Sequence, residues 1–263
     1  MKKILLRIHW ILSEQFGINL LKLLNGFRGL FQFITDLKSF KTQYTGKIVL
    51  VPCLGDRYSE GGNAKDEYFR QDLLVARWVF QNKPIKHVDI GSRIDGFVAH
   101  VASFREIEVF DIRKITTSVE NICFKQADLM SETSIQSYVS NVDGYCDSLS
   151  CLHALEHFGL GRYGDNISAT GYEQGIKNIS MLLKSGGMFY LSVPVGFERV
   201  EFNANWIFSP FTIIKNAQSN ALNLSKMHVL MRDGSEFVYD PQENFEYLSK
   251  VDYALCIFIF IKK

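Results

Sequence analysis

Hydrophobic positions along this chain follow two different periods. Up to residue 41 they return every three or four residues: Ile4, Ile8, Ile11 and Leu12 in one run, Leu20, Leu21, Leu23 and Leu24 in the next. This spacing predicts helices over 2–24 and 27–41, with Gly26 and Gly29 marking the break. From Lys47 the pattern shortens. "KIVLVPCL" reads as a short strand and "GDRYSEGGNA" as a glycine-rich loop, and "KDEYFRQDLLVARWVFQ" restores helical spacing through Phe69, Leu73, Ala76, Val79 and Phe80. Short β-branched runs then alternate with helical stretches, which places strands at 86–90, 107–110, 122–125, 145–150 and 188–193. Further on, "SKMHVLMRDGSEFVYD" has the pattern of a hairpin turning at Asp233-Gly234, and "YALCIFIFI" that of a long buried strand.

Such alternation predicts an α/β fold: a doubly wound, mostly parallel sheet with a C-terminal antiparallel hairpin and an N-terminal helical extension. The expected division is a helical extension over 1–45 and an α/β domain over 46–263.

Composition adjusts this picture in three places. With 47% apolar residues in 263, the chain has material for a large core. A net charge of +1 gives no reason to expect a nucleic-acid partner, but the charge is uneven. Residues 1–45 hold seven Lys/Arg (Lys2, Lys3, Arg7, Lys22, Arg28, Lys38, Lys41) against Glu14 and Asp36, a net of +5, which leaves −4 for the remainder. A basic amphipathic pair over residues 2–41 suits either an anionic membrane surface or packing on the domain or a partner protein. Charges interrupt its apolar run too often for a spanning helix, and no small-residue cleavage site follows it. Five cysteines without C-x-x-C spacing suggest reduced thiols and no metal centre. The expected location is therefore cytoplasmic, with peripheral attachment at the inner face of the membrane as the variant that the basic helices would add.

In a doubly wound sheet, ligands bind beyond the carboxyl ends of the strands. After the first predicted strand comes Asp89-Ile-Gly91-Ser92, where a glycine lets backbone approach a ligand. Asp111 follows the second strand at 111 − 89 = 22 residues, near the offset of about 20 at which an acid grips ribose hydroxyls in nucleotide-binding units. Asp128 follows the third, where it can accept from an adenine amino group. Any one such acid also suits a helix cap; three in successive loops point to a ligand. The turn has Gly91 and Gly96 but no G-x-G-x-x-G, which counts against a nicotinamide-dependent dehydrogenase or sugar epimerase.

D-x-G-S…G at 89–96, the acid after the second strand, H-x-L-E-H at 153–157, L-K-x-G-G at 183–187 and S-V-P at 192–194 resemble the class I S-adenosylmethionine-dependent methyltransferases over about residues 66–263. The resemblance implies a Rossmann-like methyltransferase fold and S-adenosylmethionine as cofactor. Asp89 and Gly91, with Ser92 and Gly96 of the same turn, would take its methionine and ribose region, Asp111 the ribose hydroxyls, Asp128 the adenine, and Leu129 would flank the ring. More narrowly, "YFRQDL", "HVDIGSRIDGFVAHVASF", "SCLHALEHFGLGRYGD" and "FNANWIFSP" are similar to domain-of-unknown-function family 268, whose bacterial members are associated with surface-polysaccharide synthesis. "GDNISATG" departs from the proline-rich continuation expected there.

Methyl transfer needs a nucleophile aligned behind an activated methyl group, and an oxygen nucleophile needs a base. His153 and His157, with Glu156 between them, are the candidates, His153 first; helical spacing would put both on one face. The alternative is that the L-E-H segment only shapes the cofactor pocket. Arg162, Tyr163 and Asp165 are candidates for a polar acceptor such as a sugar, or for turn chemistry alone. Tyr68, Gln71 and Asp72 would cover the cofactor's amino-acid end, or form an ordinary amphipathic helix. Trp206 and Phe208 would line the acceptor site or pack in the core, with Ser209-Pro210 as an N-cap and first turn. The sequence thus supports methyl transfer to a small-molecule or glycan acceptor, and alternatively a non-catalytic module of the same fold that binds a partner enzyme or membrane.

Overall fold

The structure, a computed structural model, describes residues 2–59, 61–62, 64, 66–139 and 144–263, with backbone alone for 2–7, 20 and 21. Glu60, Asn63 and Lys65 of the predicted loop and helix, and the side chains of Ile4, Leu20 and Leu21, lie outside the described residues. The chain forms two compact units, 1–63 and 64–263, which divide there rather than at 45/46.

In the first unit, helix α1 spans Lys2–Phe16 and α2 spans Leu20–Lys41. The break falls at Gly17 (φ +70°), not at Gly26 or Gly29, which both lie inside α2. Asn19 decides the restart, its side chain accepting the Lys22 N–H at 3.0 Å as an N-cap. Gly29 serves a close approach instead, since a Cβ there would collide with the Leu54 carbonyl. Residues 47–54 are not a strand: their β-branched run has no neighbouring edge to pair with, and Val49, Leu50 and Val51 remain exposed.

The second unit is built on an eight-stranded sheet in the order β3-β2-β1-β4-β5-β10-β8-β9. Its strands are β1 His87–Ile90, β2 Ile107–Asp111, β3 Ile122–Gln126, β4 Cys146–Leu152, β5 Leu183–Val195, β8 Leu222–Leu230, β9 Glu236–Tyr239 and β10 Ala254–Lys262. β6 Arg199–Glu201 and β7 Asn205–Ile207 make a separate small hairpin. Strands β1 to β5 pair in parallel, and β10 runs antiparallel to both β5 and β8. All the strands predicted after residue 82 are present, including the hairpin at Asp233-Gly234.

Helices cover both faces: α3 Glu67–Asn82 and α4 Ala99–Ala102 on one, α5 Glu132–Val139, α6 Gly171–Leu182 and α7 Pro210–Ser219 on the other. The period of two in β10 explains the double burial. Ala254, Cys256, Phe258 and Phe260 enter the core under α5, α6 and α7, and Leu255 and Ile257 the core under α3 and α4. Each fully buried phenylalanine contributes about 1.5–3 kcal/mol. Helix α3 is bounded as its sequence demands: Asp66 accepts the Tyr68 N–H at 2.9 Å, and Lys83 leaves the helix in the left-handed region (φ +46°) just before Pro84. Strand order reverses between β1 and β4, which is where a wound sheet leaves a crevice.

Candidate active site

That crevice is a cavity of about 660 Å³, walled by the segments that follow β1, β2, β3 and β4 and by the start of α3. Gly91 turns the chain at its floor with φ +73°, and its N–H continues the sheet by donating to the Phe110 carbonyl at 2.9 Å. A Cβ on Gly91 would lie 2.8 Å from that of Ala154, so only glycine fits. The chain then makes a single π-turn over Ile94–Val98. There Gly96 adopts φ −119°, ψ −118°, and a Cβ on it would press on the Asp72 carboxylate at 2.8 Å.

Asp89 holds this turn from behind. Its carboxylate accepts the Ser92 N–H (3.0 Å), the Ser92 hydroxyl (2.8 Å) and the Ser150 hydroxyl (2.6 Å), and burial pushes its pKa up to about 7 against those bonds. It is fully buried and is not among the residues that line the cavity; its hydrogen bonds hold the backbone of the Gly91 turn. Gly91, Ser92 and Gly96 do line the cavity.

Asp111 and Asp128 reach the same cavity from β2 and β3. Asp111 accepts the Arg113 main-chain N–H (2.7 Å), its Nε–H (3.0 Å) and its Nη2–H (2.7 Å), and the Arg113 guanidinium lies 4.3 Å over the Tyr163 ring. Asp128 caps its own turn through the Met130 N–H at 2.8 Å. Leu129 lines the wall, its carbonyl fixed by the Asn178 amide at 2.7 Å.

The stretch after β4 is not an α-helix, so His153 and His157 do not share a helical face. His153 sits in the left-handed region (φ +52°), held there by its N–H donating to the Ser192 carbonyl (3.1 Å), and only Leu155–His157 form a short 3₁₀ turn. That turn brings Glu156 back under the ring: His153 Nδ1 stands 2.7 Å from Glu156 Oε1. A carboxylate only accepts, so Nδ1 donates to it, and the lone pair of the uncharged ring would sit at Nε2. Nε2 is buried without a hydrogen-bond partner among the described residues, and the imidazole, 5% exposed, lies against Tyr68 with centroids 4.2 Å apart. Burial acts to raise the Glu156 carboxyl, but attraction to His157 and His153 in their charged forms, with the hydrogen bond from His153 Nδ1, outweighs it and holds the carboxyl below its ordinary range. Glu156 lies behind the wall, not on it. His157 lines the cavity and donates from Nδ1 to the Ala204 carbonyl at 2.7 Å; burial lowers its pKa, with Glu156 acting the other way.

In the loop that follows, Asp165 organises backbone, taking the N–H groups of Gly159 (2.9 Å), Gly161 (3.1 Å) and Tyr163 (3.1 Å). Arg162 and Tyr163 line the cavity with it, and so do Tyr68, Gln71 and Asp72, whose carboxyl burial raises. Trp206 and Phe208 stack on each other at 5.8 Å away from that wall, a packing role. Ser209 stands at the N-cap position before Pro210, but its hydroxyl makes no cap bond; Glu198 takes its N–H instead, at 2.9 Å.

Sequence reasoning passed over Arg113, Ser150 and Ser192. The last two carried a signal: serines within otherwise apolar buried strands require partners, and theirs are Asp89 and the His153 N–H. Among the described residues no group of three or more His, Cys, Asp or Glu is arranged to hold a metal, and no helix is long and apolar enough to cross a membrane.

Comparison with known proteins agrees with this architecture. The family profile described as "Caenorhabditis protein of unknown function, DUF268" matches residues 97–215, and nothing in that description links it to bacteria or polysaccharides. No curated protein matches the chain. Among solved structures, the [4+2]-cyclase SpnF is similar at 13% identity and TM-score 0.51, over 73% of this chain and 80% of that one. The Burkholderia thailandensis 1,6-didemethyltoxoflavin-N1-methyltransferase, solved with 1,6-didemethyltoxoflavin and S-adenosylhomocysteine, is similar at 12% identity and TM-score 0.50, over 83% and 93%. One of these two proteins is named a cyclase and the other a methyltransferase, so the likeness does not choose a reaction. The fold of residues 64–263 is the Rossmann-like methyltransferase fold.

Proposed function

We propose that this chain transfers a methyl group from S-adenosylmethionine to an oxygen of an acceptor, with His153 as the base and Glu156 as the residue that orients it. The observation that carries the reading is the meeting of four features on one cavity at the reversal of strand order: the Gly91 turn, Asp111, Asp128 and His153. The cavity volume falls within the range of roughly 300–1,000 Å³ usual for small-molecule sites. Its groups suit an adenosyl ligand: the Gly91–Gly96 turn for the methionine end, Asp111 for the ribose hydroxyls, Asp128 and Leu129 for adenine. Bound there, S-adenosylmethionine supplies a methyl group that its sulfonium has already activated.

The protein's own contribution is alignment and proton removal. His153 Nε2 accepts the proton of the attacking hydroxyl, and the Glu156 carboxylate at Nδ1 stabilises the imidazolium that forms. Ser192 fixes the backbone that aims the ring, and Tyr68 shields it from water. The acceptor in this proposal is a small or glycan-linked hydroxyl compound of envelope polysaccharide synthesis, the glycan resting on the resemblance to family 268 alone. Residues 2–41 are assigned a peripheral contact with an anionic membrane surface, supported by the exposed Trp10, Phe16, Leu23, Leu24, Phe27 and Phe31 beside Lys22 and Arg28.

Calorimetric titration with S-adenosylmethionine and S-adenosylhomocysteine tests the cofactor. Wild type is expected to bind in the micromolar range, and Asp111→Ala to weaken binding about tenfold or more. A folded protein that gives no heat with either compound would overturn the proposal. A second reading, a non-catalytic module of the same fold, is favoured by one observation: both oxygens of the Asp111 carboxylate are already engaged by Arg113. The same titration separates the two.

A further inference from the structure

Three arginines line the cavity, and two of them are neutralised within their own turn. Arg93 pairs with Asp95 and Arg113 with Asp111, each at 2.7 Å. Arg162 differs. Among the described residues it has no carboxylate within ion-pair distance, and the acid next along the loop, Asp165, spends both oxygens on the N–H groups of Gly159, Gly161 and Tyr163. The guanidinium is nevertheless braced: Nη1 donates to the Ala204 carbonyl at 3.0 Å, and Cζ lies 5.2 Å from the centre of the Tyr163 ring. A cation fixed in place, exposed at the edge of a cavity and left without a counter-charge is arranged to receive an anion.

Its neighbours agree with that. His157 lies 3.4 Å from Nη1, and burial, with the charge of Arg162, lowers its pKa. The charge of Arg162 also reaches the Tyr68 phenol, whose ring packs on His153, which ties this cation to the base. The other acids on the wall, Asp66 and Asp72 at the start of α3 and Asp128 in the turn after β3, make no ion pair with Arg162 among the described residues. We infer that the acceptor carries an oxyanion, a carboxylate or a phosphate, and that Arg162 binds it at the cavity edge while the hydroxyl beside it reaches His153. This rests on the methyl-transfer reading for the role of the hydroxyl, but the anion site itself does not require it.

The test titrates inorganic phosphate and, separately, acetate into the purified full chain at constant ionic strength held with chloride, following intrinsic fluorescence. Each titration is run with and without S-adenosylhomocysteine. Saturable binding of at least one anion is expected, weakened about tenfold or more in Arg162→Ala and unchanged in Arg77→Ala, an exposed arginine of α3 outside the cavity. Saturation by phosphate alone assigns a phosphate ester, and by acetate alone a carboxylate. If Arg162→Ala fails to fold, Arg162→Gln replaces it. The inference is overturned if neither anion saturates, if Arg162→Ala binds as wild type, or if Arg77→Ala loses as much. Absence of S-adenosylhomocysteine binding alongside an intact anion response would sink the methyl-transfer reading and leave the anion site standing.

Discussion

In the methyl transfer proposed above, Glu156 and His153 act as a pair: the carboxylate selects the tautomer and answers the positive charge that the ring would acquire. In Glu156→Gln the hydrogen bond at Nδ1 survives and the charge does not. In a methyl-transfer assay kcat is expected to fall about 10²-fold while KM for the cofactor stays within about twofold. A deeper chain of side chains governs stability rather than turnover. His87 accepts from the Ser148 hydroxyl at Nδ1 (2.7 Å) and donates from Nε2 to Ser150 (3.2 Å), which in turn donates to Asp89. Burial lowers His87 from 6.5 to about 3 and raises Asp89 from 3.8 to about 7. Between roughly pH 4 and 6.5 the unfolded chain therefore binds a proton more than the folded one at His87 and a proton fewer at Asp89, and the two slopes oppose each other. Asp89→Asn leaves the histidine uncompensated, so its stability should fall as pH falls through that window. His87→Gln leaves the carboxyl, so its stability should fall as pH rises. Urea denaturation at three pH values within the window checks both signs.

At the scale of elements, the loop between the 3₁₀ turn and α6 depends on one carboxylate. Removing it in Asp165→Ala strips three backbone N–H groups of their acceptor. It is expected to cost about 1–3 kcal/mol in denaturant unfolding and to raise proteolytic sensitivity around 159–165. The fold was legible in the sequence where burial is two-sided. The apolar runs of β4, β5 and β10 can only be interior strands, and the alternation of strands with helices then fixes a wound sheet. It was misread where local pattern lacks a partner, as in "KIVLVPCL", or where a cap outweighs a glycine, as at Asn19 against Gly26. Site residues that follow strands were legible for the same topological reason: Asp111 and Asp128 reach the wall because β2 and β3 end there. For Asp89, the position at a strand end does not reveal that Ser92 and Ser150 claim its oxygens. Spacing likewise implied a helical face for His153 and His157. A left-handed His153 replaced it, and Ser192, some forty residues away in sequence, holds that conformation.

For the molecule as a whole, the division at 63/64 separates a unit rich in exposed apolar and basic side chains from one that contains the whole cavity. Deletion of residues 2–41 is accordingly expected to abolish co-sedimentation with anionic vesicles and to leave the affinity for S-adenosylhomocysteine within about twofold. Vesicle binding that survives the deletion would move the contact elsewhere. The placement of β10 has a consequence for how such a chain is made. Because residues 254–262 slot between β5 and β8, a chain that lacks them leaves the facing edges of both strands without their pairing partner. Those edges are open to pairing with other chains. Nonsense mutations shortly before residue 254 should therefore yield aggregates rather than a smaller folded protein, checked by the soluble fraction on expression.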